Sequence, residues 1–165
     1  MGITPPSLYT AFGDKKQLFF EAMHLYFGDP ESTVRTLDAA PSALEAARGL
    51  MRASAKLFTD PATPPGCLLA SATASGPASS ADVRAVAAQL RSKSCRMLKA
   101  RIRRDVREGR LDPAAQPGAL ADSALALVQG MSVLARDGVS RDRLYALIDQ
   151  ALAGWPGVAD EERGR

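Results

Sequence analysis

A chain of 165 residues with 46% apolar and 24% charged side chains has the length and composition of one compact domain with a sizeable core, which excludes a disordered tail. The formal charge is only +3 although the isoelectric point is near 9.1, so net charge gives weak support for a polyanionic partner and the distribution of charge says more. Cys67 and Cys95 stand without metal-ligand spacing and read as reduced, small apolar side chains in a cytoplasm; the apolar stretches at 68–74 and 124–128 are too short to cross a bilayer.

Helical periodicity runs through most of the chain and no segment alternates as a strand does, so the fold class is all-α. Thr4 can cap a short first helix with Pro5 at its first position, where a missing N–H costs nothing, and Gly13 can end it in a left-handed cap. Asp14 caps a second helix, Lys15 to Phe27, whose apolar residues cover nearly its whole circumference, as expected of a helix gripped on two sides. After Gly28, Asp29 and Pro30 come a short helix from Glu31 to Ala39 and a longer one from Pro41 to Phe58, with the stripe Leu44, Ala47, Leu50, Met51, Ser54 and Leu57. Asp60 to Gly66 is a proline-rich loop, and 66–74, Gly-Cys-Leu-Leu-Ala-Ser-Ala-Thr-Ala, is a short buried helix of small residues.

A long helix follows from Ser80 to Arg110, marked by Val83, Val86, Leu90, Ser94, Leu98, Ile102 and Val106. Residues 91–110 carry nine Lys or Arg against Asp105 and Glu108, a density suited to phosphates, but without interleaved aromatics it reads first as a solvated face. Arg101 lies about 60° from Leu98 by the helix's advance of roughly 100° per residue. It can therefore enter a pocket, and snorkelling outward is the favoured alternative. Gly118 to Asp137 is apolar on too many sides for a one-faced helix, and Arg141 to Gly154 shows Leu144, Leu147, Ile148, Ala151 and Leu152. These two adjacent helices have surplus apolar surface, which suggests a four-helix interface between two copies.

Residues 2–20, with Tyr9, Phe12, Lys15 and Leu18 at marked positions, resemble the recognition-helix segment of the TetR/AcrR family of one-component transcriptional regulators. The Gly-Cys-Leu segment after a proline loop is similar to a central body helix of that family, and 129–138, Gln-Gly-Met-Ser-Val-Leu-Ala-Arg-Asp-Gly, resembles its penultimate helix. The resemblance implies a ligand-responsive repressor with a three-helix DNA-binding domain and a helical body that binds a small molecule and dimerises. Two helices precede this segment in the family, so the chain reads as lacking the first helices of its reader, through truncation or a late start site, with impaired DNA binding.

By the same resemblance, residues 1–27 are a partial helix-turn-helix with its linker helix, 28–157 the ligand-binding and dimerisation domain, and 158–165 a flexible tail. Tyr9 and Lys15 would touch DNA phosphates, Thr4 would cap the helix and meet the backbone, and Pro6 and Ser7 would face base edges, while Phe12 and Leu18 fill the small core. A cavity lined by Met51, Phe58, Leu68, Met97, Arg101 and Val128 would suit a hydrophobic or aromatic effector. Leu127, Met131, Leu134, Leu144, Ile148 and Leu152 are the expected homodimer interface. A different reading is an interaction protein that pairs with full-length regulator subunits. With His24 the only histidine and no Gly-rich loop, paired acids or nucleophile elbow, no enzyme, metal, cofactor or membrane role is expected.

Overall fold

The computed structural model describes residues 5–27, 30–74 and 81–157. They form α1 (Pro5–Phe12), α2 (Lys15–Phe27), α3 (Pro30–Ala39), α4 (Ala43–Phe58), α5 (Leu68–Ala74), α6 (Ala81–Arg107), α7 (Pro117–Arg136) and α8 (Arg141–Leu152), with no strand among the described residues. The all-α class and the order of helices agree with the periodicity of the sequence. Thr4 and the tail at 158–165 lie outside the described residues, as do the side chains of Tyr9 and Lys15.

Local chemistry sets the ends. Gly13, at φ +84°, ends α1 in a backbone conformation open to glycine at little cost. The Asp14 carboxylate accepts the Gln17 N–H at 2.8 Å and starts α2. Ser42 accepts the Glu45 N–H at 3.2 Å at the head of α4, the Ser-x-x-Glu spacing of a capping box. At the other end of α4, Arg141 donates from Nε to Thr59 Oγ1 at 2.9 Å and from Nη2 to the Lys56 and Thr59 carbonyls, covering orphan acceptors with a cation where the helix dipole favours one.

The core is the meeting of α4, α6, α7 and α8. Along α4 the buried face is Ala43, Ala47, Met51, Ala55 and Phe58, a spacing of three or four residues that keeps one side inward. Its alanines let α7 approach closely. α7 contributes Ala121, Ala124, Val128, Met131 and Ala135, and Leu98, Ile102, Leu144 and Ile148 complete the centre, all fully buried. Burying each such aliphatic side chain contributes about 1.5–3 kcal/mol. α7, 20 residues long with an 18-residue window of mean hydropathy 1.4, is long and apolar enough by length and composition alone to cross a membrane. Here it packs between α4 and α6, and its surplus apolarity arises because one side faces the core while another is exposed.

Arg101 overturns an expectation. It does not snorkel: it is 3% exposed, and its guanidinium pairs with the Asp105 carboxylate, itself 1% exposed. Arg101 Nη2 also donates to the Ala40 carbonyl at 2.9 Å, and Asp105 accepts the Ala43 N–H at 2.5 Å and Arg110 Nη2 at 3.0 Å. Burial by itself would raise the Asp105 carboxyl, but the Ala43 N–H and the Arg101 and Arg110 guanidiniums outweigh it and hold the group below the usual range. A buried charge is tolerable only with such partners. This knot ties α6 to the α3–α4 junction. Part of the basic run is paired within the chain, since Arg104 also pairs with Asp38 and Arg110 with Glu108.

Candidate functional site

A cavity of about 400 Å³ opens among α2, α3, α4, α6 and α7, and Cys67 and Leu69 close part of it. Leu37, Leu50, Leu57, Phe58, Leu90, Met97, Leu125 and Val128 supply an apolar wall, and Ser54, Ser94, Gln129, Arg91 and Lys93 stand on it as polar points. The Ser54 and Ser94 hydroxyls donate back to the Leu50 and Leu90 carbonyls at 2.9 and 3.2 Å. Each therefore keeps its oxygen available as an acceptor.

The segment before α5 is held by its own chemistry. Gly66 has φ +91°, and a Cβ there would lie 2.9 Å from the Ser132 carbonyl oxygen and 2.7 Å from Arg136 Cγ, so only glycine fits this turn against α7. The next N–H, of buried Cys67, donates to the fully buried Ser132 hydroxyl at 2.8 Å. From the other side Tyr26, near the end of α2, lines the cavity and donates from its hydroxyl to the Gly66 carbonyl at 3.3 Å. Burial pushes the Tyr26 phenol well above its ordinary value, which keeps it neutral.

Of the residues expected to line a pocket, Phe58, Met97 and Val128 meet at this cavity. Met51 does not; it turns into the core and onto a smaller cavity of about 260 Å³ with Leu127, Leu152 and Trp155. Leu68 is only half buried while Leu69 reaches the cavity, because a seven-residue helix of small side chains gives no stripe from which to fix its facing. Arg101 is off the cavity, spent on Asp105. Sequence reasoning missed Tyr26, Arg91 and Lys93. The signal available was Ser54 and Ser94, polar residues inside otherwise apolar stripes.

At the front of the molecule α1 packs on α2. Pro6 and Ser7 are exposed on α1, and Phe12 is 39% exposed while Leu18 is half buried. Lys16 near the start of α2 pairs with Asp82 at the start of α6, so α2 touches the body near both its ends. His24 is on the α2 surface.

The expected interface residues divide. Met131, Leu144, Ile148 and Leu152 are buried inside the protomer and cannot also form its outer face. Leu127 is half buried and Leu134 is exposed. The apolar surface left outside includes Ala126, Gly130, Val133 and Leu134 on α7 and Leu147 on α8. Which of two apolar sides of a helix faces inward depends on what packs there.

Residues 43–150 match the family model of the tetracyclin repressor-like C-terminal domain. Among solved structures, the TetR family transcriptional regulator CifR, as a cysteine mutant complexed with 26-base-pair double-strand operator DNA, is 39% identical, with 93% of this chain and 81% of that chain covered and a TM-score of 0.82. A further CifR cysteine mutant with operator DNA is 38% identical over the same shares, again with a TM-score of 0.82. A protein described as a TetR transcriptional regulator from Rhodococcus sp. RHA1 is 29% identical, with 94% and 84% of the two chains covered and a TM-score of 0.68. No curated protein matches. With its body matched over 43–150 and its fold and sequence shared with these regulators, the chain belongs to the TetR family of transcriptional regulators.

Proposed function

We propose that the chain is a ligand-responsive repressor subunit, acting as a homodimer in the cytoplasm, that releases operator DNA when a small hydrophobic or aromatic molecule enters the cavity among α2, α3, α4, α6 and α7. One observation carries this reading: Tyr26, on the helix that supports α1, is itself part of the cavity wall and is bonded to the Gly66 turn. A ligand that fits better when Tyr26 moves shifts α2, and with it α1, by its differential affinity for the two arrangements. In this reading Thr4, Tyr9 and Lys15 hold phosphates and the helix start, and Pro6 and Ser7 face base edges. The exposed α7–α8 face receives the second copy, with Leu127 and Leu134 at its margin.

For a polypeptide of residues 1–165, operator binding is expected to be weak and unselective. α1 has eight residues, short enough that tertiary packing must supply its stability, and Phe12 is left partly open. Fluorescence anisotropy with labelled duplexes from the DNA flanking its own gene tests both statements, using this polypeptide and the same body behind a complete three-helix reader. Selective, effector-sensitive binding by the second and not the first supports them. Nanomolar, sequence-selective binding by the first refutes the impairment, and selective binding that no apolar or aromatic compound relieves refutes the ligand-responsive switch. The exposed α7–α8 face also favours a second reading, a partner that pairs with full-length subunits and weakens their DNA binding. Stable heterodimers in co-expression and size exclusion distinguish it.

A further inference from the structure

We propose that the effector combines an apolar body with an anionic head, a carboxylate or similar oxyanion, received by Arg91 and Lys93 of α6. The proposal rests on the effector-cavity reading above and adds the chemical class. Among the described residues both charged side chains on the cavity wall are cations, and neither Asp nor Glu lines it. They flank one apolar strip of α6: by the roughly 100° advance per residue, Arg91 falls to one side of Leu90, Ser94 and Met97, and Lys93 to the other. Neither cation has an ion-pair partner among the described residues, whereas Arg101, Arg104 and Arg110 of the same basic run are all engaged by carboxylates.

A cation beside an apolar pocket selects by charge. A wholly neutral occupant would strip water from the half-buried Arg91 and return nothing to it, whereas an oxyanion offsets that loss through charge-assisted, potentially bidentate hydrogen bonds. Ser94, between the two cations on the wall, keeps an acceptor that sets the approach of a donor-bearing neighbour on the ligand. The volume, about 400 Å³, lies in the usual range for small-molecule sites.

Three probes of matched chain length separate the possibilities: decanoate, decanol and decyltrimethylammonium, each titrated calorimetrically and by thermal midpoint into the protein and into an Arg91→Gln/Lys93→Gln variant. Decanoate is expected to bind about tenfold more tightly than decanol, the size of one good charge-assisted contact. The double variant removes that preference by weakening decanoate to the level of decanol. Equal binding of decanoate and decanol by the unaltered protein, or tightest binding of the cationic probe, overturns the anionic class while the apolar cavity reading stands. A decanoate preference that survives in the variant overturns the assignment to these two residues. If none of the three shifts the midpoint or gives heat, the cavity reading itself falls and this proposal with it.

Discussion

Replacing Asp105 with alanine removes the one carboxylate that accompanies a guanidinium buried to 3% exposure, together with the acceptor of the Ala43 N–H at the first turn of α4. Breaking a buried pair from one side typically costs about 3–5 kcal/mol, because the remaining charge is left uncompensated. Domains of this kind have only about 5–15 kcal/mol in total. For a chain of this length each kcal/mol is worth roughly 2–4 °C, so the thermal midpoint should fall by roughly 6–20 °C. Arg110 cannot replace the lost partner, since it is a cation as well. Urea denaturation at matched protomer concentration, followed by circular dichroism, measures the loss directly. An Arg101→Met/Asp105→Leu double variant should lose much less, because a well-packed apolar pair carries no stranded charge. A cost for Asp105→Ala below about 1 kcal/mol, the level of an exposed pair, would refute the reasoning that this knot holds α6 to α4.

The same carboxylate predicts an acid limb. Its folded pKa lies below its ordinary value of 3.8, so its contribution is complete above that value and is lost as the pH falls through the lower folded value. Denaturation between neutrality and strong acid should therefore show a steeper fall below about pH 4 in the unaltered protein than in Asp105→Asn, and parallel curves would contradict the assignment. Ser132→Ala should cost about 1–3 kcal/mol by leaving the buried Cys67 N–H without an acceptor, read as a lower urea midpoint with an unchanged slope. Leu147→Glu, at a site 36% exposed on α8, should leave the protomer folded by circular dichroism but move light-scattering mass toward the monomer. An unchanged mass would place the twofold contact on another face.

Much of this protein was legible in the chain itself. Periodicities of three and four, the proline and glycine punctuation, and caps such as Asp14 fixed the order of the eight helices of the described residues, because local hydrogen bonding and φ preferences act over a few residues. Three linear segments carried the family resemblance for the same reason. What only the tertiary structure decided was facing and partnership. Arg101 beside Leu98 could have turned to water or inward, and the choice fell to Asp105, one helical turn further on, together with the Ala40 carbonyl and the Ala43 N–H brought from more than sixty residues away in the chain. α7 is apolar on two sides, and sequence alone cannot say which is inside; α4 and α6 buried Met131 and left Val133 out. Tyr26 joined the cavity only because the Gly66 turn was brought to it. Helix formation is local, so the sequence determined it; burial depends on which surfaces the folded chain brings together, and so belongs to the whole molecule.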